Sequence, residues 1–345
     1  MKQYTSLYFV GAGGIGMSAL VRYFLAKGYK VAGYDRTQSP LTTELKTEGL
    51  EIVYEESVES IPDYCRNPET TLVVYTPAIP ASHAGLVYFR EHGFRVVKRA
   101  ELLGLITQSS KGLCFAGTHG KTTTSSMAAH IFHESPIGCN AFLGGILRNY
   151  NSNLILSEQS PFTVIEADEY DRSFHWLHPY MAVVTATDPD HLDIYGTEEA
   201  YLESFARFTS LIQPGGCLIM KKGIKLVPSV KENVKIYTYS ARDGGDFHAG
   251  NIRIGDGTIV FDFVMPEGSV ADIELGVPVE INIENAVAAM AIAWLNGVSG
   301  DDMRRAMASF KGAKRRFEFW VKRPDRVMID DYAHHPDELK ASIRS

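Results

Sequence analysis

Gly117-Thr118-His119-Gly120-Lys121-Thr122-Thr123-Thr124 follows an apolar run, Gly112-Leu113-Cys114-Phe115-Ala116, and leads into a helix-compatible run from Ser125 to Phe132. Strand, glycine turn, Lys-Thr and helix is the layout of a phosphate-binding loop. Glycines let backbone N–H groups turn toward phosphate oxygens, and the helix N-terminus adds positive potential. Lys121 can then reach the β- and γ-phosphates, and a neighbouring hydroxyl can hold Mg²⁺. The spacing Gly117-x-x-Gly120-Lys121-Thr122 is shorter between its glycines than the usual pattern, which has about four residues there.

Upstream, Leu7-Tyr8-Phe9-Val10 runs into Gly11-Ala12-Gly13-Gly14-Ile15-Gly16-Met17-Ser18, which opens a helix with apolar positions at Leu20, Tyr23, Phe24 and Leu25. This is G-x-G-x-x-G between strand and helix. The next strand, Val31 to Tyr34, ends on Asp35, at the distance of about 20 residues expected of an acid that bonds a ribose hydroxyl. The turn predicts a nucleotide or dinucleotide site of open identity; a tight, ligand-free strand–helix turn is the plainer alternative. Strands over Leu72–Pro77 and Val96–Lys98 complete one α/β unit up to about Ile106, and Gln108 to Lys111 reads as a polar linker.

Downstream, the strand Phe162 to Ile165 delivers Glu166-Ala167-Asp168-Glu169-Tyr170-Asp171. Acids at a strand's C-terminal end stand where α/β sheets place ligand chemistry and could hold a Mg²⁺ that bridges phosphates. A solvated acidic turn is the bland reading. Met181 to Thr187 is a strand ending in Asp188-Pro189-Asp190-His191-Leu192-Asp193, which puts His191 in the same structural place as Glu166, one strand over. Phe247 to Leu275 reads as short strands in a local antiparallel patch. Asn285 stands before an apolar helix from Ala286 to Leu295, either as its N-cap or as an amide that reads a base edge. Val327 to Tyr332 is a further strand, with a helix from Asp337 to Arg344.

The chain has 345 residues, room for two domains or more. Its 45% hydrophobic and 22% charged composition is that of an ordinary globular protein. A net charge of −7 argues against non-specific nucleic-acid binding. Lys311, Lys314, Arg315 and Arg316 form a basic cluster whose simple reading is a solvated helix end. The four cysteines lack CxxC spacing and fit buried thiols in a reducing cytoplasm. There is no signal-peptide pattern and no apolar run near the ~20 residues that cross a bilayer.

Taken in order, the Gly11–Ser18 turn, the Gly117–Thr124 loop, Glu166-Ala167-Asp168-Glu169, Asp190-His191-Leu192-Asp193, Asn282-x-x-Asn285-Ala286, Arg315-Arg316-Phe317 and Asp330-Asp331-Tyr332-Ala333-His334-His335-Pro336 resemble the ordered motifs of the Mur ligases. The resemblance spans essentially the whole chain. It implies an α/β protein: a Rossmann-like, UDP-substrate-binding domain over 1–108, a P-loop ATPase-type central domain with a small antiparallel patch over 109–318, and over 319–345 the start of a C-terminal Rossmann-like domain that is largely missing. A chain ending there is expected to lack ligase activity and still to bind the UDP-sugar. The shortened phosphate loop becomes the regular form for this group.

The resemblance further implies a cytoplasmic, ATP- and Mg²⁺-dependent amide ligase of peptidoglycan precursor synthesis. It would join L-alanine to the lactyl carboxylate of UDP-N-acetylmuramate through an acyl phosphate. Gly11, Ala12, Gly13, Gly14, Ile15, Gly16 and Asp35 would hold the UDP-substrate, in place of the NAD that the glycine pattern alone suggests. Gly117, Thr118, His119, Gly120, Lys121, Thr122 and Thr123 would hold ATP, with Asn285 on adenine and Arg316 and Asp331 on the nucleotide. Lys121, Glu166 and His191 would be catalytic, Thr122, Glu166 and His191 would bind metal, and His335 would lie near the amino acid. Some members carry a metal-bridging carbamylated lysine about one helix after the histidine; no lysine occurs here between His191 and Lys221, as in the alanine-adding subgroup. The alternative is the relative that adds a recycled murein tripeptide, which shares the Glu166–Glu169 stretch, here followed by Tyr170-Asp171; the Gly-Ile-Gly-Met-Ser turn favours alanine. An NAD-linked oxidoreductase would leave Lys121 and the acids at 166–171 without a purpose.

Overall fold

The computed structural model describes residues 3–255, 257–323 and 325–333, together with Leu339 and Ile343. The chain divides into two compact units, Met1–Ile106 and Thr107–Ser345.

In the first unit β1 (Ser6–Val10), α1 (Ile15–Ala26), β2 (Lys30–Tyr34), α2 (Pro40–Thr47), β3 (Glu51–Val53), β4 (Thr71–Tyr75), α3 (Ala84–Glu91) and β5 (Arg95–Lys98) alternate. The strands form a parallel sheet in the order β3-β2-β1-β4-β5. Every residue of β1 is buried, as a central parallel strand covered on both faces requires. The strand order reverses beside β1, and the crevice at such a point is where open α/β sheets bind ligands. α2 is fixed by a capping box between Ser39 and Thr42, with Pro40 at its first position.

The helix α4 (Arg99–Gln108) crosses the division between the units, so the expected polar linker is only the short Ser109-Ser110 step before β6 (Lys111–Ala116). The second unit continues with α5 (Lys121–His133), β7 (Asn140–Leu147), β8 (Ser152–Ile155), β9 (Phe162–Glu166), β10 (Pro179–Val184), α6 (Leu192–Tyr195), α7 (Glu198–Ser210), β11 (Cys217–Lys221), β12 (Lys235–Ser240), β13 (Phe247–Gly255), β14 (Thr258–Met265), β15 (Gly268–Glu274), α8 (Ile281–Leu295), α9 (Gly300–Ser309), β16 (Glu318–Arg323) and β17 (Arg326–Asp330).

Among the described residues ten strands form one sheet, β15-β14-β13-β12-β11-β10-β6-β9-β7-β8. The antiparallel patch is therefore no separate layer: β13 pairs in parallel with β12 and carries the sheet outward. β6, which feeds the phosphate loop, lies between β9 and β10. The strands that lead toward Glu166 and His191 consequently flank the loop on opposite sides and are not neighbours, which corrects the one-strand-over expectation. β16 pairs with β17 in a two-stranded sheet of its own.

α8 is buried over most of its length, from Asn282 to Ala293, and packs against α5. Ala286, Ala288, Ala289, Ala291 and Ala293 give it small side chains on nearly every face, as a fully enclosed helix needs. α8 begins at Ile281 with Glu280 at its N-cap, so Asn285 lies inside the helix and is not the cap.

α5 carries the buried His130 at the centre of a polar network that reaches the surface. The Tyr150 hydroxyl donates to Glu134 Oε1 (2.8 Å), which leaves its oxygen to accept from His130 Nδ1 (2.6 Å), while His130 Nε2 faces the Ser309 hydroxyl at 2.9 Å. Burial pushes the His130 pKa down to about 4 and keeps the ring neutral. The four cysteines are all buried and free. Desolvation raises the Cys65 and Cys217 thiols to about 12, and Cys114 and Cys139 higher still. No described helix is long and apolar enough to cross a membrane.

Candidate active site

In the first unit the turn after β1 is tied down by its own strand neighbour. The amides of Gly11 and Ala12 donate to Tyr34 O at 2.8 and 3.0 Å. Asp35 accepts from the Gly13 amide at 2.7 Å and from the Thr37 amide at 3.2 Å. The acid expected on a ribose hydroxyl braces the glycine turn in this structure. Gly14 caps α1 with extended backbone, and Ile15 and Gly16 form the helix's first turn.

In the second unit the phosphate loop is braced from beyond β10. Thr185 donates its hydroxyl to His119 O and, at 3.3 Å, to Ala116 O. The Thr118 hydroxyl donates to Asp188 O at 2.7 Å and meets the Tyr201 hydroxyl at 2.9 Å. Gly117 has φ +139, and a Cβ there would fall 2.2 Å from Thr185 Oγ1, so only glycine closes this turn. Gly120 caps α5 in the left-handed conformation, and Thr123 lies in the first turn behind it.

Lys121 Nζ donates to Gly117 O at 2.5 Å and to Glu169 Oε1 at 2.8 Å. Thr122 donates to Glu166 Oε1 at 3.0 Å, and the Gly144 amide donates to Glu166 Oε2 at 3.1 Å. A Cβ on Gly144 would lie 2.2 Å from that oxygen, so the carboxylate seats only against a bare backbone. Burial raises the affinity of Glu166 and Glu169 for a proton, and the Lys121 ammonium opposes the shift at both.

Lys121, Thr122, Glu166, Glu169, His191 and Arg316 are among the walls of a cavity of about 160 Å³. The sequence-derived residues from four separated stretches therefore do share one site. His191 adopts φ 51, its ring edge-on to Tyr170 at 5.2 Å between centroids, and its amide donates to Asp190 Oδ1 at 2.7 Å. An adjoining cavity of about 120 Å³ is lined by Gly120, Asn282, Asn285, Arg316, Phe317 and Asp331, among others. There Asn285 Oδ1 accepts from Thr124 (3.1 Å), its amide donates to Asn282 Oδ1 (3.1 Å), and Asp331 accepts from the Phe317 amide (3.2 Å). His335 lies outside the described residues.

The donor set suits Mg²⁺ in part. The Thr122 hydroxyl and Glu166 carboxylate are adjacent hard oxygens, the kind this ion takes. Among the described residues no three His, Cys, Asp or Glu side chains converge to hold a metal by themselves. Such a site fits an ion that arrives sharing its coordination with phosphate oxygens and water, as Mg²⁺ does.

Residues 6–111 match the Mur ligase family, catalytic domain, and residues 115–293 match the Mur ligase middle domain. The chain belongs to the Mur ligase family. It is 65% identical over its full length to UDP-N-acetylmuramate--L-alanine ligase of Parabacteroides distasonis and spans 75% of that protein. The protein of the same name from Phocaeicola vulgatus is 63% identical over 99% of this chain, which spans 74% of it. The crystal structure of UDP-N-acetylmuramate-alanine ligase from Thermotoga maritima superposes with a TM-score of 0.82 at 25% identity, covering 98% of this chain and 76% of that one. A murein peptide ligase from Psychrobacter arcticus shares the fold, with a TM-score of 0.77 at 24% identity over 99% of this chain and 75% of that one.

Within this Mur ligase, sequence reading passed over Glu169 as the partner of Lys121, although it saw the acidic run. It also missed Gly144, Thr185 and Tyr201. Nothing local marks these three; each acts through a contact with a loop at least 20 residues away in the chain.

Proposed function

We propose that this Mur ligase is the alanine-adding enzyme, an ATP-dependent ligase that joins L-alanine to the lactyl carboxylate of UDP-N-acetylmuramate in peptidoglycan precursor synthesis. The observation that carries the reading is identity of 65% over the whole of this chain to a ligase of that name, combined with a phosphate loop, a buried and a half-buried acid and an arginine around one cavity. The tripeptide-adding alternative has support only at the level of fold.

A carboxylate does not condense with an amine in water unless it is activated. Transfer of the γ-phosphoryl group of ATP gives an acyl phosphate; the alanine amine attacks the carbonyl carbon, and phosphate leaves from the tetrahedral adduct. Catalysis is then chiefly positioning and charge neutralisation. Lys121 offers its ammonium to the γ-phosphate, with the Gly117–Thr123 backbone around the phosphates. Asn285 lies at the adenine pocket, and Arg316 and Asp331 border the same nucleotide. Mg²⁺, held by Thr122 and Glu166 with His191 nearby, would supply charge neutralisation between the phosphates. The turn from Gly11 to Gly16, braced by Asp35, holds the UDP-sugar diphosphate in the first unit, and His335 serves the amino acid. We place the reaction in the cytoplasm, where free thiols persist.

The test is phosphate release from ATP with UDP-N-acetylmuramate and a panel of L-alanine, glycine, L-serine and murein tripeptide, with calorimetric binding of each substrate alongside. Alanine-dependent release is expected. Release that answers only to the tripeptide overturns the reading.

A further inference from the structure

The ammonium assigned to phosphate is already engaged. Lys121 donates to Glu169 Oε1 at 2.8 Å, and the pair is buried, with side chains 14% and 2% exposed. The other carboxylate oxygen, Glu169 Oε2, is buried and has no hydrogen-bond partner among the described residues. A buried ion pair kept only for stability would have its remaining lone pairs satisfied, because the desolvation cost is otherwise not recovered. The backbone nevertheless holds Glu169 in place: Tyr195 donates its hydroxyl to the Glu169 carbonyl at 2.5 Å, and after Tyr170 the residues Asp171 and Arg172 take left-handed backbone conformations. Both partners face the cavity shared with Thr122 and Glu166.

We propose that Glu169 is a positioning residue that holds Lys121 against the phosphate loop and partly neutralises it, so that the site restrains its grip on the nucleotide. With the carboxylate present, an arriving triphosphate meets an ammonium whose charge is shared and whose direction is fixed between Gly117 O and Glu169. Without it, the Lys121 ammonium loses its ion-pair partner, more of its charge is open to the triphosphate, and the triphosphate binds more tightly. Interactions that favour the ground state do nothing for the chemical step, so a ligase gains by limiting them.

This inference rests on the ATP reading above, and calorimetric titration of the chain with ATP and Mg²⁺, in the absence of UDP-sugar, separates the two. Glu169→Gln keeps the shape and removes the charge; its Kd for ATP is expected to fall by about tenfold, a conservative figure for losing one unit charge several ångströms from a phosphate. Glu169→Asp withdraws the carboxylate by one methylene and is expected to tighten binding by about threefold. Tyr195→Phe loosens the same backbone without touching the pair and is expected to bind like wild type. A purely structural role predicts the opposite sign, weaker binding in both Glu169 variants. Unchanged or weakened affinity in a variant that melts like wild type overturns the inference alone. Failure of both Glu169 variants to fold makes the residue structural and also overturns it. Failure of the wild-type chain to bind ATP removes both the inference and the reading beneath it.

Discussion

Two glycine turns, each between a parallel strand and a helix, are braced in different ways in this chain. After β1, the amides of Gly11, Ala12 and Gly13 are spent on Tyr34 and Asp35, and the first helical turn carries no cation. After β6, the turn is braced through Thr118 and His119, and its first helical residue is a lysine held by Glu169. The backbone physics is shared; the side chains next to the glycines differ, and on the function proposed above that difference selects the ligand. A diphosphate that must only be held can be met by a helix N-terminus and a rigid turn. A phosphoryl group that must be transferred needs a positioned cation and a nearby site for a metal ion.

The sharpest way to break this division is Lys121→Ala. Ligation is expected to fall by about a thousandfold or more, in keeping with the loss of a transition-state charge clamp, while UDP-N-acetylmuramate binding by calorimetry stays within about twofold. Equal loss of both would merge the two sites. Next in size, Gly144→Ala drives a methyl group into Glu166 Oε2, and Mg²⁺-dependent ATP binding should weaken by about a hundredfold, with the first turn untouched.

The helices behind the turns also differ, since α5 carries the buried, neutral His130 and α1 has no histidine. The folded-state pKa of His130, about 4, lies below the ordinary value of 6.5. The unfolded chain therefore takes up the proton first, and the stability is present above pH 6.5 and lost as pH falls toward 4. At pH 5 the second unit should be weaker by about 2 kcal/mol than at pH 7.5, measured by urea unfolding. His130→Gln should lose that part of the pH dependence. Smallest, Asp35→Ala removes the acceptor of the Gly13 amide and should weaken UDP-sugar binding by about tenfold while ATP binding is unchanged.

Much of this was open to reading in the sequence because it is local. Strand–turn–helix around Gly11 and Gly117, and the strand before Glu166, each depend on neighbours a few residues apart. What stayed hidden depends on topology. Glu166 and His191 read as adjacent strand ends because each follows a strand in the chain, yet β6 runs between those strands. Asn285 was open to reading as a cap, beside the base-edge reading, because α8 was begun at its first alanine; the helix begins earlier, at Ile281, and the Asn282 amide donates to Val277 O in that polar turn. Gly144 carried no signal at all, since its requirement is set by a carboxylate from another strand.

The buried thiols have a practical corollary. With proton affinities as high as those of Cys65 and Cys217, the thiolate fraction at neutral pH is roughly one part in ten thousand or less, and burial blocks reagents as well. The four thiols of this chain are therefore expected to be silent toward maleimides. A single thiol introduced by Tyr170→Cys, at a position 49% exposed beside Glu169, would take up a fluorophore alone and turn the state of the phosphate loop into an optical signal.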